Sequence, residues 1–123
     1  MRIRPEKVAH LMRREVAEIL QQKLRDPRVS AMVSVTDVEV TNDLSFARVF
    51  VSIMGKPEER ASTLQALAHA AGFVRHEVGA RLGLREVPEV RFVHDESLDR
   101  GARVEDLLRR LHDGKPVEDE ELE

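Results

Sequence analysis

The sequence has no cysteine, no tryptophan and no tyrosine, and four phenylalanines bring the aromatic share to 3% of 123 residues. The first absence excludes disulfides, thiolate metal sites and cysteine catalysis together, and fits a reducing compartment. The scarcity of rings argues against a platform on which RNA bases stack, since such a platform needs several of them exposed. No apolar run approaches the roughly 20 residues of a membrane helix. The opening residues, Met1-Arg2-Ile3-Arg4-Pro5-Glu6, contain no apolar stretch of the kind a secretory signal carries. These absences predict a soluble cytoplasmic protein without membrane association.

What is abundant is charge. Charged residues make up 35% and hydrophobic residues 41%, a balance that allows one globular domain. The net charge of −3 hides a gradient. Residues 1–28 carry 8 Lys and Arg against 4 Asp and Glu, a net of +4; residues 29–95 carry 7 against 9, a net of −2; residues 96–123 carry 5 against 10, a net of −5. Such asymmetry points to a polyanion-facing side and an acidic end. Sixteen of the 20 basic residues are Arg, which suits bidentate phosphate contacts, although a GC-rich genome produces the same excess.

Residues 5–24 read as an amphipathic helix. Val8, Leu11, Met12, Val16, Ile19, Leu20 and Leu24 recur at three- and four-residue steps, Pro5 suits the first turn, and Asp26-Pro27 stops the pattern. Residues 32–41 read as a strand whose alternation changes phase: Val33 and Val35 share one parity, Val38 and Val40 the other. A β-bulge near Thr36-Asp37 would bring both pairs to one face. After the turn signal Asn42-Asp43, residues 45–53 alternate cleanly, which makes a hairpin. A second helix follows over 57–70, and the helical pattern resumes from Phe73 to Leu82, with Gly72 at the join and Gly83 as C-cap. Residues 89–94 form a third strand, and Ser97 caps a last helix striped by Val104, Leu107, Leu108 and Leu111. Residues 113–123 hold five acids among the last six positions and read as a disordered tail after a single domain, 1–112. Helices that follow a hairpin must cover its apolar face, so the expected architecture is an α+β sandwich of two layers.

Several chemistries find no residues. His69 and His76 lie two turns apart but have no third ligand close in sequence. Asp95-x-Ser97-x-Asp99 approaches a calcium loop, yet the glycine comes one position late and Asp106 stands where Glu is needed. No phosphate loop or serine nucleophile motif occurs. An enzyme, a metal site and a cofactor are therefore not expected. The join Ala70-Ala71-Gly72 is more informative. Gly costs about 1 kcal/mol in a helix interior relative to Ala, so a break or sharp bend within two residues of Gly72 is expected, with a new helix starting at Phe73. Its N-terminus would favour phosphate, and Arg81 and Arg85, one turn apart, would form a basic strip beyond it.

The sequence resembles the bacterial ribosome-binding factor A family over roughly residues 3–111. The stretches that carry the resemblance are Asp26-Pro27-Arg28-Val29, Val35 through Asp43-Leu44-Ser45-x-Ala47-Arg48-Val49-Phe50-Val51-Ser52, Ala70-Ala71-Gly72-Phe73-Val74-Arg75, Leu82-Gly83-Leu84-Arg85-x-x-Pro88-Glu89-Val90-x-Phe92 and Asp95-x-Ser97-x-x-x-Gly101. Their order and spacing together are specific. The resemblance implies a type II KH-like fold in which the usual Gly-x-x-Gly loop is replaced by an Ala-x-Gly kink, here residues 70–72, with an additional helix at the C-terminus. It implies a non-catalytic, monomeric factor that binds the free small ribosomal subunit late in assembly, assists maturation of the 5′ end of its RNA, matters in the cold, and is released with the help of an assembly GTPase. The RNA-binding set expected on this basis is Lys7, Arg13, Arg14, Lys23, Arg25 and Arg28 on and after the first helix, Ala70, Ala71 and Gly72 at the kink, and Arg75, Arg81 and Arg85 beyond it. Recognition would be of RNA shape and backbone. The alternatives are a generic KH-like RNA- or DNA-binding module, and a protein–protein adaptor using a face near Phe46 and Phe50.

Overall fold

The structure is a computed structural model that describes residues 4–24 and 26–96, without the side chains of Arg28, Ser30 and Ala31. The expected C-terminal helix and acidic tail lie outside these residues. The elements run α1 (Pro5–Gln22), α2 (Pro27–Met32), β1 (Val33–Val40), β2 (Phe46–Ile53), α3 (Pro57–Leu82) and β3 (Glu89–His94). The three strands stand in the order β1-β2-β3, with β1 antiparallel to β2 and β2 parallel to β3. The parallel pair needs a long crossover, and α3 is that crossover.

Alternation along the strands decides which face is covered. Ala47, Val49, Val51 and Ile53 of β2 are buried beneath the helices, with Val33 and Val38 of β1 and Val90 of β3 beside them. Helix α1 lies on β1 and α3 on β3, and the two helices touch each other, so the layers are helix over sheet. The bulge falls where the phase change requires it: Val35 pairs with Val51 and Asp37 with Phe50, which leaves Thr36 as the extra residue. The Thr36 hydroxyl lies 2.6 Å from Asp95 Oδ2 and 3.2 Å from the Phe50 carbonyl, so the unpaired residue ties β1 to the end of β3.

The expected interruption at Gly72 is absent. Residues 57–82 form one helix of 26 residues, and no new helix starts at Phe73. Packing explains why the glycine does not break it. Thr63, Leu67, Val74 and Val78 are buried at steps of four, seven and four, a single stripe that passes residue 72 without a change of phase. Burying each Leu or Val contributes about 1.5–3 kcal/mol, which together outweighs the roughly 1 kcal/mol cost of one helical glycine. Gly72 faces the opposite side, and a Cβ there would meet no atom within 4 Å. The helix ends at Gly83, whose φ of 61° is the left-handed cap expected from the sequence.

Candidate nucleic-acid interface

The basic side chains expected to bind RNA reach solvent in two places. The first is α1. Lys7, Arg13, Arg14 and Lys23 are exposed, and none makes an ion pair or side-chain hydrogen bond among the described residues. Lys7 and Arg14, two turns apart, stand on one line of the helix, whereas Arg13 turns toward β1. There it borders an open groove with His10, Glu39 and Arg48. Arg48 is already committed, with Nη2 2.7 Å from Glu39 Oε2.

The second place is a groove of about 830 Å³ between the C-terminal half of α3, the α3–β3 loop and the β1–β2 turn. Gly72, Arg75, His76 and Gly79 line it from the helix, Arg85 and Val87 from the loop, and Asp43 and Leu44 from the turn. The loop is fastened to the helix in two ways. Arg75 donates from Nε and Nη2 to the Val87 carbonyl at 3.1 and 2.9 Å. Val87 packs so closely on the helix that a Cβ at Gly79 would come within 2.7 Å of its Cγ2. The turn is fastened by Asp43, whose Oδ1 accepts from the Ser45 hydroxyl at 2.6 Å, the Thr41 hydroxyl at 2.8 Å and the Ser45 N–H at 3.1 Å. These bonds, the Ser45 hydroxyl first, hold the Asp43 carboxyl down from 3.8 to about 2. They also accompany a left-handed Leu44, with φ at 62°.

The expected site residues therefore divide. Arg85 is exposed in the groove wall and unpaired among the described residues. Arg75 is exposed, but its guanidinium holds the loop. Arg81 does not form a strip with Arg85, because α3 ends at Leu82 and Arg85 belongs to the loop. Arg81 instead turns to α1, with Nη1 3.2 Å from Glu15 Oε2 and 3.1 Å from Glu18 Oε1, and Nε 3.8 Å from Glu77 Oε2. Its pKa is raised, chiefly by the Glu15 hydrogen bond. Ala70 and Ala71 are half-buried in the helix and Gly72 is exposed, with no helix N-terminus near them to hold phosphate. Arg25 and the side chain of Arg28 lie outside the described residues. Composition could not show that Phe73 is 42% exposed beside Gly72. No group of three or more potential metal ligands occurs among the described residues, and no described helix is long and apolar enough to cross a membrane.

The element order, the strand order and the single helical layer define an α+β domain consistent with the KH-like fold. Solved relatives share it: the crystal structure of ribosome-binding factor A from Thermus thermophilus aligns with a TM-score of 0.63 at 26% identity, covering 73% of this chain and 94% of that one. The chain belongs to the ribosome-binding factor A family, whose model matches residues 4–108. A ribosome-binding factor A from Gloeobacter violaceus is 53% identical over 110 residues, 88% of this chain and 85% of the relative. A Thermus thermophilus RbfA homology model fitted into a cryo-EM map of a 30S–RbfA complex aligns with a TM-score of 0.58 at 28% identity, covering 72% of this chain and 96% of that one.

Proposed function

We propose that this protein is a ribosome assembly factor that binds the free small ribosomal subunit and assists late maturation of its RNA at the 5′ end. The observation that carries the reading in this chain is the uncompensated charge on α1. Lys7, Arg13 and Arg14 of α1 and Lys23 at its C-cap have no carboxylate partner among the described residues; of the acids of α1, Glu15 and Glu18 are spent on Arg81, and Glu6 alone stands exposed in the first turn. Unpaired cations on one exposed helix fit a phosphate backbone, whose neutralisation releases counterions and drives binding. The relative placed in a 30S complex supports the choice of partner. Arg85 and the groove beside α3 supply a second contact. In this reading the protein works as a monomer, in the cytoplasm, by binding alone: it holds immature RNA helices and delays subunit joining until an assembly GTPase releases it.

The test is sedimentation of cell extract with the protein tracked across the gradient. Co-migration with free small subunits, and little with joined ribosomes, is expected. Equal partition into joined ribosomes overturns the reading, and so does binding that survives nuclease treatment, which would favour the adaptor alternative.

A further inference from the structure

Helix α1 leaves one expected ion pair unmade. Among Lys7, Arg13, Arg14 and Lys23, only Arg14 has an acid three or four positions away within the helix: Glu18, one turn on. A cation and a carboxylate at that spacing are neighbours on the helix surface and ordinarily attract each other. Both are exposed, yet Arg14 makes no ion pair or hydrogen bond among the described residues. Glu18 is drawn the other way, to α3. Arg81 Nη1 lies 3.1 Å from Glu18 Oε1 and 3.2 Å from Glu15 Oε2, and Arg81 Nε lies 3.8 Å from Glu77 Oε2. The Arg81 side chain is only 20% exposed, so solvent ions screen its attraction for Glu18 less than they would screen that of a surface cation.

We propose that Arg81 is a positioning residue for RNA binding: by holding Glu18 at the seam between α1 and α3, it keeps the Arg14 guanidinium free for a phosphate. Glu18 continues the line of Lys7 and Arg14 along α1, so the direction of its carboxylate decides whether that line offers a cation or a closed ion pair. Arg81 does not itself meet RNA, because its guanidinium stands among three carboxylates, a setting that repels phosphate. Without Arg81, Glu18 is stranded one turn from Arg14 and turns to it. A phosphate must then displace a carboxylate, and one contact is lost at a distance from the substituted residue. The inference rests on the reading of α1 as an RNA-binding helix and names the residue that keeps it competent.

The experiment measures duplex RNA binding by fluorescence anisotropy across a salt series. Arg81→Met is expected to weaken binding roughly 5- to 10-fold at 0.1 M salt and to lower the salt slope by about one unit, the signature of one phosphate contact. Arg14→Gln is expected to give the same loss, and to add nothing further when combined with Arg81→Met. Glu18→Gln, introduced into the Arg81→Met protein, is expected to restore both affinity and slope. Glu77→Gln in that protein removes an equal charge from the same cluster but not from beside Arg14, and is expected to restore neither. A direct RNA contact by Arg81, or a clamp that merely holds the helices together, would not be rescued by removing Glu18. Binding that stays weak in the Arg81→Met/Glu18→Gln protein therefore overturns the proposal, as does equal rescue by Glu77→Gln or an additive loss with Arg14→Gln. A comparison without RNA reads the same exchange of partners. At low salt, Arg14→Gln is expected to leave the melting temperature of the wild type unchanged and to lower that of Arg81→Met by about 1–3 °C, since only there does Arg14 hold Glu18. Equal effects in the two backgrounds overturn the proposal even where RNA binds. A wild-type protein that binds neither duplex RNA nor small subunits overturns the RNA-binding reading itself, whatever the melting comparison shows.

Discussion

Two glycines of α3, seven residues apart on one helix, should respond oppositely to the same methyl group. Ala is better than Gly in a helix interior by about 1 kcal/mol, mainly because the unfolded chain has less freedom to lose. At Gly72 the new Cβ meets nothing within 4 Å, so the whole gain should appear. Gly72→Ala is expected to stabilise the domain by about 1 kcal/mol, a rise of about 3–5 °C in melting temperature for a domain of this size. At Gly79 the same Cβ would approach Val87 Cγ2 to 2.7 Å. Val87 is β-branched and stiff, and its carbonyl is held by Arg75, so it has little room to retreat. Overpacking of this kind costs about 1–3 kcal/mol, which cancels or exceeds the propensity gain. Gly79→Ala should thus leave stability unchanged or lower it by up to about 2 kcal/mol. Thermal and urea unfolding followed by circular dichroism read both variants. A Gly72→Ala protein less stable than wild type would mean that the helix does break there, and would restore the interrupted-helix expectation. A Gly79→Ala protein as stabilised as Gly72→Ala would mean that the loop is not packed on the helix.

Four other outcomes follow from the same contacts. Arg81→Met should lower the melting temperature at low salt, and the deficit should shrink as salt rises, because it strands Glu15, Glu18 and Glu77 together; a salt-independent deficit would contradict the clamp. Lys7→Gln with Arg14→Gln should weaken small-subunit binding without unfolding, and lower the salt slope by about one unit per lost phosphate contact on duplex RNA; an unchanged slope would move the interface elsewhere. The Asp43 carboxyl has its pKa depressed from 3.8 to about 2, so its contribution is complete above the unfolded value and is lost as pH falls between them. The stability gap between wild type and Asp43→Asn, measured by urea unfolding, should therefore be constant above about pH 5 and close toward about pH 2; a pH-independent gap would show that the turn bonds do not favour the charged form. Thr36→Val should cost on the order of 1 kcal/mol by removing the hydroxyl between β1 and Asp95, and an undiminished midpoint would show that the bulge holds without it.

The sheet is legible in the sequence because strand alternation reports burial directly. Val33, Val35, Val38 and Val40 announce both the strand and its bulge, since only an inserted residue puts all four on one side. Helix α2 escapes a sequence reading because six residues are too short to display a helical period, and Pro27 reads as a stop signal as readily as a start. At Gly72 a local rule meets a tertiary one and loses: the buried stripe on either side is stronger than one glycine's preference. The site is less readable than the fold. The direction of Arg81 depends on Glu15, 66 residues away in sequence, and no local pattern records that. Arg75 likewise has the look of an RNA contact in the sequence, whereas its guanidinium sits on the Val87 carbonyl. Phe73 carries a signal that composition obscures: it is apolar, yet it lies off the buried stripe of α3 and is exposed.

The bulge at Thr36 has a consequence for how copies of this protein behave in a crowded solution. In the described sheet β1 is an edge strand, with a row of backbone donors and acceptors that a second molecule could extend. Thr36 breaks that row, and Asp37 and Glu39 stand exposed just after it. An approaching strand would meet a local twist, a lost register, the exposed Asp37 carboxylate and then the Glu39–Arg48 ion pair. The residue that keeps four valines on the inner face thus also blunts the outer edge, and shortening β1 by one residue to remove the bulge would be expected to produce a chain prone to edge-to-edge aggregation.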